Sequence, residues 1–236
     1  MRSQVSDCTT LTYWDGHGAC ERIRLMLAIC GEPWEDRVAL DDSGATHMTT
    51  YAQLQKLSEA GVLMADQLPL LQIDGLNLVQ GWAAVRYLAR KHGLYGKDNA
   101  EATKCDILQE TMQDYNGKAD QDDKYLCRLG RALGDGPFFL GANMSFVDVT
   151  FFRLIDNREA EAAGTVASMP AWVQAHHAKM HADAKLAAYL KSDQRFPRPG
   201  KDGYYDRVKA CLPYLTFAGG DGTTPPMACD TWNFKA

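Results

Sequence analysis

The sequence predicts an α/β domain at the N-terminus followed by an all-α domain. Short apolar-alternating stretches and helical stretches interleave up to residue 93. Leu70-Leu71-Gln72-Ile73 and Asn77-Leu78-Val79 flank Asp74-Gly75, a strong short hairpin signal. Beyond Asp98 the pattern turns wholly helical, broken by Gly/Pro punctuation such as Gly134-Asp135-Gly136-Pro137. At 236 residues the chain exceeds the roughly 100–200 residues of one domain, which fits two.

Each element has its own local reason. Thr10-Leu11-Thr12-Tyr13 alternates as a first strand, and Asp15-Gly16-His17-Gly18 breaks it as a loop. From Ala19 to Cys30, Ile23, Met26, Leu27 and Cys30 share one helical face, with Gly31 placed to end the helix in a left-handed turn. Trp34 to Val38 supplies a second strand, residues 41–50 read as a loop, and Tyr51, Leu54 and Leu57 suggest a short helix. After the hairpin, Ala83, Ala84, Tyr87 and Leu88 carry helical spacing, and Gly93 stops it. The order βαβαββα describes a thioredoxin-like layer. Residues 1–93 form this domain, 94–99 a linker, 100–199 the helical domain and 200–236 a C-terminal extension.

In the helical domain the spacing predicts helices over 100–132, 146–163, 171–182 and 185–191. Ser145-Phe146-Val147-Asp148 has the form of a capping box at the second of these, and Val149, Phe151, Phe152 and Ile155 make that helix central. In the extension, Tyr204 to Leu215 fits one more amphipathic helix, and 217–226 reads as a tail.

Composition excludes several roles. Hydrophobic content of 46% and charged content of 23% belong to a folded globular chain. A net charge of −5 without a basic cluster opposes a nucleic-acid partner or a polybasic membrane anchor. The polar N-terminus lacks a signal-peptide core, and no apolar run approaches the roughly 18 residues that cross a bilayer. Seven scattered cysteines without a CxxC pair fit a reducing compartment, so a cytoplasmic location is expected.

Three ordered segments resemble the cytosolic glutathione transferases that use a tyrosine, the alpha class most closely, with mu-, pi- and sigma-like features. They are Leu11-Thr12-Tyr13-Trp14-Asp15-Gly16-His17-Gly18 with Glu21-Arg22-Ile23-Arg24; Asp66-Gln67-Leu68-Pro69-Leu70-Leu71-Gln72-Ile73-Asp74-Gly75 with Leu78-Val79-Gln80; and Tyr87-Leu88-Ala89 through Asp98 with Ser145-Phe146-Val147-Asp148. The resemblance implies a homodimer that uses glutathione as co-substrate, holds no tightly bound cofactor and takes hydrophobic electrophiles in detoxification. It implies Tyr13 as the catalytic hydroxyl, donating to a thiol whose free pKa is near 8.5. It implies a cis Pro69 that turns the Leu68 backbone toward glutathione, and side-chain contacts from Gln67 and Gln80. The amides opening the following helix at Gly81 suit the γ-glutamyl carboxylate. Lys56 is the basic residue near the place of the glycine-carboxylate ligand. Asp114 falls where such enzymes reach across a dimer to the γ-glutamyl amine, and a solvated helix face explains it equally.

The chain departs from that pattern at four places. Gly81 stands where Ser or Thr is usual, Ala19 where the alpha class has an arginine, Ser58 at the glycine-carboxylate position, and Ala65 at the aromatic dimer lock. His17 or Arg24 could stand in for the missing arginine, and Arg24 reads equally as a structural ion-pair partner. Two functions follow: conjugation of the thiolate to an electrophile, with glutathione peroxidase activity sharing the first step, or a noncatalytic ligand-binding or assembly role on the same fold. The helix at 204–215 reads either as a lid over the electrophile or as surface packing.

Rival sites are weaker. Cys20 at a helix N-terminus suits mixed-disulfide chemistry but lies seven positions beyond Tyr13. His177 and His181 share a helical face beside His176, yet without HExxH or an evident third ligand they read as a solvated face, and no metal site is expected.

Overall fold

The computed structural model describes residues 8–13, 16–39, 48–49, 56–65 and 67–196. They fall into two compact units. The first takes the described residues of Met1–Cys20, Trp34–Gln80 and Phe196–Ala236, and the second takes Glu21–Pro33 and Gly81–Arg195.

The first unit is a five-stranded sheet in the order β3-β2-β1-β4-β5. Its strands are β1 (Thr9–Tyr13), β2 (Trp34–Ala39), β3 (Met48–Thr49), β4 (Leu70–Ile73) and β5 (Leu76–Val79). Strands β1 and β2 run parallel, and β1 meets β4 antiparallel with Thr12 opposite Leu70. The hairpin is as the sequence predicts: Asp74 and Gly75 both have positive φ, 52° and 76°, the signature of a type I′ turn. Strand β3 corrects the reading of 41–50 as a loop. Met48 and Thr49 pair in parallel with Val38 and Ala39, a long-range pairing that leaves no local pattern in two residues. Of the short helix expected around 51–57, a helical turn at residues 56–59 is described. Leu57, Val62, Ala65 and Leu68 pack on a core of Leu63, Leu70 and Val79.

The second unit is helical: α1 (Glu21–Cys30), α2 (Gly81–Lys91), α3 (Asn99–Tyr115), α4 (Asp122–Leu133), α5 (Phe146–Glu161), α6 (Thr165–Ser168), α7 (Ala171–His181) and α8 (Ala184–Leu190). Packing groups α1 and α2 with the later helices, whereas the sequence division at residue 93 follows chain order. Helix α1 lies against α2, α5 and α8. Its burial is therefore not confined to one face, for Glu21, Arg24 and Leu25 are as buried as Ile23 and Met26. Tyr189 donates to Glu21 at 2.8 Å and Arg195 Nε at 3.3 Å. Burial holds the Glu21 carboxyl above the usual range, against the opposing pull of Arg195 and Arg24. Arg24 is thus a structural partner of a buried carboxylate. Gly31, at φ 71°, ends α1 as expected, and Lys185 Nζ reaches the last carbonyls, Ile29 O and Cys30 O, at 3.4 and 3.5 Å.

The single helix expected over 100–132 is two. Asn116 and Gly117 both adopt left-handed backbone, φ 47° and 67°, and the Asn116 N–H caps Met112 O at 2.8 Å. Across the break Tyr115 Oη donates to Asp122 at 2.5 Å, and Arg158 Nη1 bonds both, at 2.9 and 2.6 Å. The predicted capping box forms: Ser145 N–H and Oγ both donate to Asp148 Oδ2 at 2.8 Å. Asp148 Oδ1 accepts from Phe139 N–H at 2.9 Å and faces His176 Nε2 at 3.1 Å, all of it buried.

The histidine face is corrected too. His176 is buried against Asp148, and His177 stacks on Phe152 with ring centroids 5.3 Å apart. The side chain of His181 is 42% exposed, against 13% for His177. Helix α7 is wedged by these rings onto α5, so most of the predicted solvated face is interior.

The free thiols divide by burial. Cys20 and Cys105 are fully buried, and burial pushes the Cys105 thiol up to about 11 and that of half-buried Cys30 to about 12. Cys8 and Cys127 are exposed. Brief alkylation of the native protein at neutral pH is expected to label Cys8 and Cys127 and to spare Cys20 and Cys105, as read by peptide mass spectrometry. Equal labelling of all four would contradict this packing.

Candidate functional site

The candidate site is built at one end of the sheet. Strand β1 ends at Tyr13, and its ladder with β4 ends one residue earlier at Thr12 and Leu70. Continuing the antiparallel count by one residue sets Tyr13 opposite Pro69. The same step on the β4–β5 ladder, from Leu70 and Val79, sets Pro69 opposite Gln80. The ends of the two ladders therefore place Tyr13, Pro69 and Gln80, residues far apart in sequence, at the same end of the sheet.

The Leu68–Pro69 peptide is cis. Pro69 is buried, and half-buried Leu68 packs against the Leu63, Leu70 and Val79 core. Gln67 and Gln80 are exposed and touch: Gln80 Nε2 donates to Gln67 Oε1 at 3.3 Å. Gln80 holds φ at 68°, a left-handed conformation uncommon for a residue with a side chain. Such backbone directs Gln80 out of the strand line before α2 begins at Gly81.

Tyr13 is half-buried and held by the loop that follows it. Its phenolic oxygen accepts from the Ala19 backbone N–H at 3.0 Å. An oxygen that accepts one hydrogen bond becomes a stronger donor through its own O–H. Gly18, at φ 40°, lies so close that a Cβ there would overlap the Tyr13 hydroxyl and stand 2.9 Å from Cε1. Gly18→Ala is expected to destabilise the fold by about 1–3 kcal/mol through this overlap and the left-handed backbone. Thermal unfolding measures it, and an unchanged midpoint would contradict the contact.

Gly18 and the Ala19 amide are not marked as site groups by the sequence. The Gly16-x-Gly18 spacing was a signal for close backbone approach, and no side-chain pattern could mark an amide donor. Ala19, a departure at the side-chain level, meets Tyr13 through its backbone N–H. Cys20 is fully buried, which removes it from exchange with a soluble disulfide. Lys56 is exposed at the start of the 56–59 turn, Gly81 is the first residue of α2, and Asp114 is exposed near the end of α3. The helix expected at 204–215 lies outside the described residues.

Comparison with known proteins follows the same lines. The family model for the glutathione S-transferase C-terminal domain matches residues 92–193. Glutathione S-transferase alpha I of Oryctolagus cuniculus is 39% identical over 104 residues, which is 44% of this chain and 43% of that protein. Glutathione S-transferase P 1 of Bufo bufo is 29% identical over 210 residues, covering 80% of this chain and 95% of the relative. Among solved structures, a nematode C. elegans-specific GST superposes with a TM-score of 0.64 at 23% identity, over 80% of this chain and 99% of that one. The structure of NaGST-2 does so at 0.63 and 21%, over 79% and 97%. At these identities the structural matches establish the fold.

Proposed function

We propose that this chain is a glutathione S-transferase that binds glutathione at the sheet end carrying Tyr13 and transfers the thiolate to a hydrophobic electrophile, a reading supported by its similarity to that family's C-terminal domain model and to relatives of the pi and alpha types. The observation that carries this is Tyr13 Oη, held by the Ala19 N–H at 3.0 Å, at the sheet end shared with Pro69 and Gln80. A free thiol with pKa near 8.5 is mostly protonated at neutral pH. The Tyr13 hydroxyl donates to the sulfur, favours the anion, and the displaced proton leaves to solvent. The thiolate then forms the S–C bond, while the electrophile loses a leaving group or takes the electron pair onto its activated carbon skeleton.

In this reading the tripeptide lies along the sheet end. The Leu68 backbone beside Pro69 pairs with the cysteinyl unit, and Gln67 and Gln80 bind the γ-glutamyl end. The amide of Gly81, next in the chain, is a further donor. Without a Ser or Thr hydroxyl there, one hydrogen bond of about 0.5–1.5 kcal/mol is lost. Lys56 serves the glycine carboxylate, and in a homodimer Asp114 serves the γ-glutamyl amine bound by the other subunit. The test is a titration of the enzyme–glutathione complex by thiolate ultraviolet absorbance. A bound-thiol pKa roughly two units below 8.5 is expected, equivalent to about 2.7 kcal/mol. Glutathione bound with an unshifted thiol, or not bound, would overturn the catalytic reading in favour of a noncatalytic one.

A further inference from the structure

We propose that Asp156, His177 and His181 form a binding site for a divalent metal ion of the zinc type. The two histidines stand one turn apart on α7, and Asp156 faces them from α5. One donor atom from each falls within 4.8 Å of the others. His177 Nε2 and His181 Nε2 each lie 3.8 Å from the same oxygen, Asp156 Oδ1. That separation is too long for a hydrogen bond. It is close to what one ion requires, since donors about 2.0–2.2 Å from zinc stand roughly 3.3 Å apart in a tetrahedron. Small rotations of the imidazole rings and the carboxylate close the difference.

The surroundings prepare the three groups. His177 Nε2 is buried with no hydrogen-bond partner among the described residues, so a lone pair or proton faces the carboxylate unmatched. Such atoms are rare in folded proteins, because leaving one without a partner is costly. Phe152 packs on both rings, stacked on His177 at 5.3 Å and edge-on to His181 at 5.1 Å. Arg195 Nη2 donates to Asp156 Oδ2 at 2.8 Å, which holds the carboxylate with Oδ1 turned to the histidines. The guanidinium charge opposes a cation, but Glu21 takes its Nε at 3.3 Å. Glu159, farther along α5, adds negative charge within electrostatic range of His177. His181, with its side chain 42% exposed, opens the site to solvent, so an ion can enter and keep a water in its fourth position.

The test uses the full chain, untagged, metal-stripped and free of glutathione. Zn(II) is titrated calorimetrically, and Co(II) is followed by visible absorption. One equivalent is expected to bind wild type, with at least tenfold weaker binding in both His181→Ala and His177→Gln. Far-ultraviolet circular dichroism checks that each variant folds, and His181→Ala changes only the most exposed ligand. Zn(II) should also raise the melting temperature of wild type more than that of His181→Ala. No binding by wild type, equal binding by the variants, or a cobalt spectrum of thiolate ligation would each overturn the site. None of these readouts depends on transferase activity.

Discussion

Tyr13→Phe is expected to lower kcat/KM for conjugation roughly 10- to 100-fold at neutral pH. The hydroxyl's hydrogen bond to a charged sulfur is worth about 1.5–3 kcal/mol, and each 1.36 kcal/mol is tenfold in rate. The phenyl ring retains its contact with Gly18, so the variant tests the hydroxyl and not the packing. The pH profile separates chemistry from structure. In wild type the bound thiol is expected to be ionised near neutrality, with the rate levelling off there. In the variant the rate should keep rising through about pH 8.5, where the free thiol ionises, and approach that of wild type in alkali. A variant with the wild-type profile would remove Tyr13 from the mechanism.

Asp148→Ala is expected to cost about 3–5 kcal/mol of folding stability, since each buried polar group left without a partner costs about 1–3 kcal/mol. One carboxylate accepts from Phe139 N–H and from Ser145 N–H and Oγ, and it faces His176. Its loss strands two amides, a hydroxyl and an imidazole in an interior where Phe138, Phe139 and Phe151 pack on His176. Asp148→Asn keeps an acceptor and should cost less. Urea unfolding at fixed protein concentration measures both. An alanine variant within 1 kcal/mol of wild type would show that water replaces the carboxylate.

Legibility followed distance along the chain. The Asp74-Gly75 turn, the Gly31 stop and the Ser145–Asp148 capping box each depend on residues a few positions apart, so the residues that specify them also spell them out. The Asn116-Gly117 break is equally local, but apolar spacing that continues on both sides of it masks the stop. Strand β3 could not be read from two residues whose pairing is set by β2. At the candidate site, Tyr13, Gln67, Leu68, Pro69 and Gln80 were named through resemblance, and register explains why three of them share one end of the sheet. The amide of Ala19 had no signal, since every residue carries one.

The sequence by itself determined the two kinds of domain, the hairpin, most helix ends and the family resemblance, because period, turn chemistry and ordered motifs are properties of the chain. Tertiary structure alone decided that Tyr13 rests on the Ala19 N–H, that Arg24 attends a buried carboxylate, and that Asp156 faces His177 and His181. Those are contacts between segments brought together only by packing and strand register, and the period of a helix or strand says which side a residue occupies but not what stands opposite.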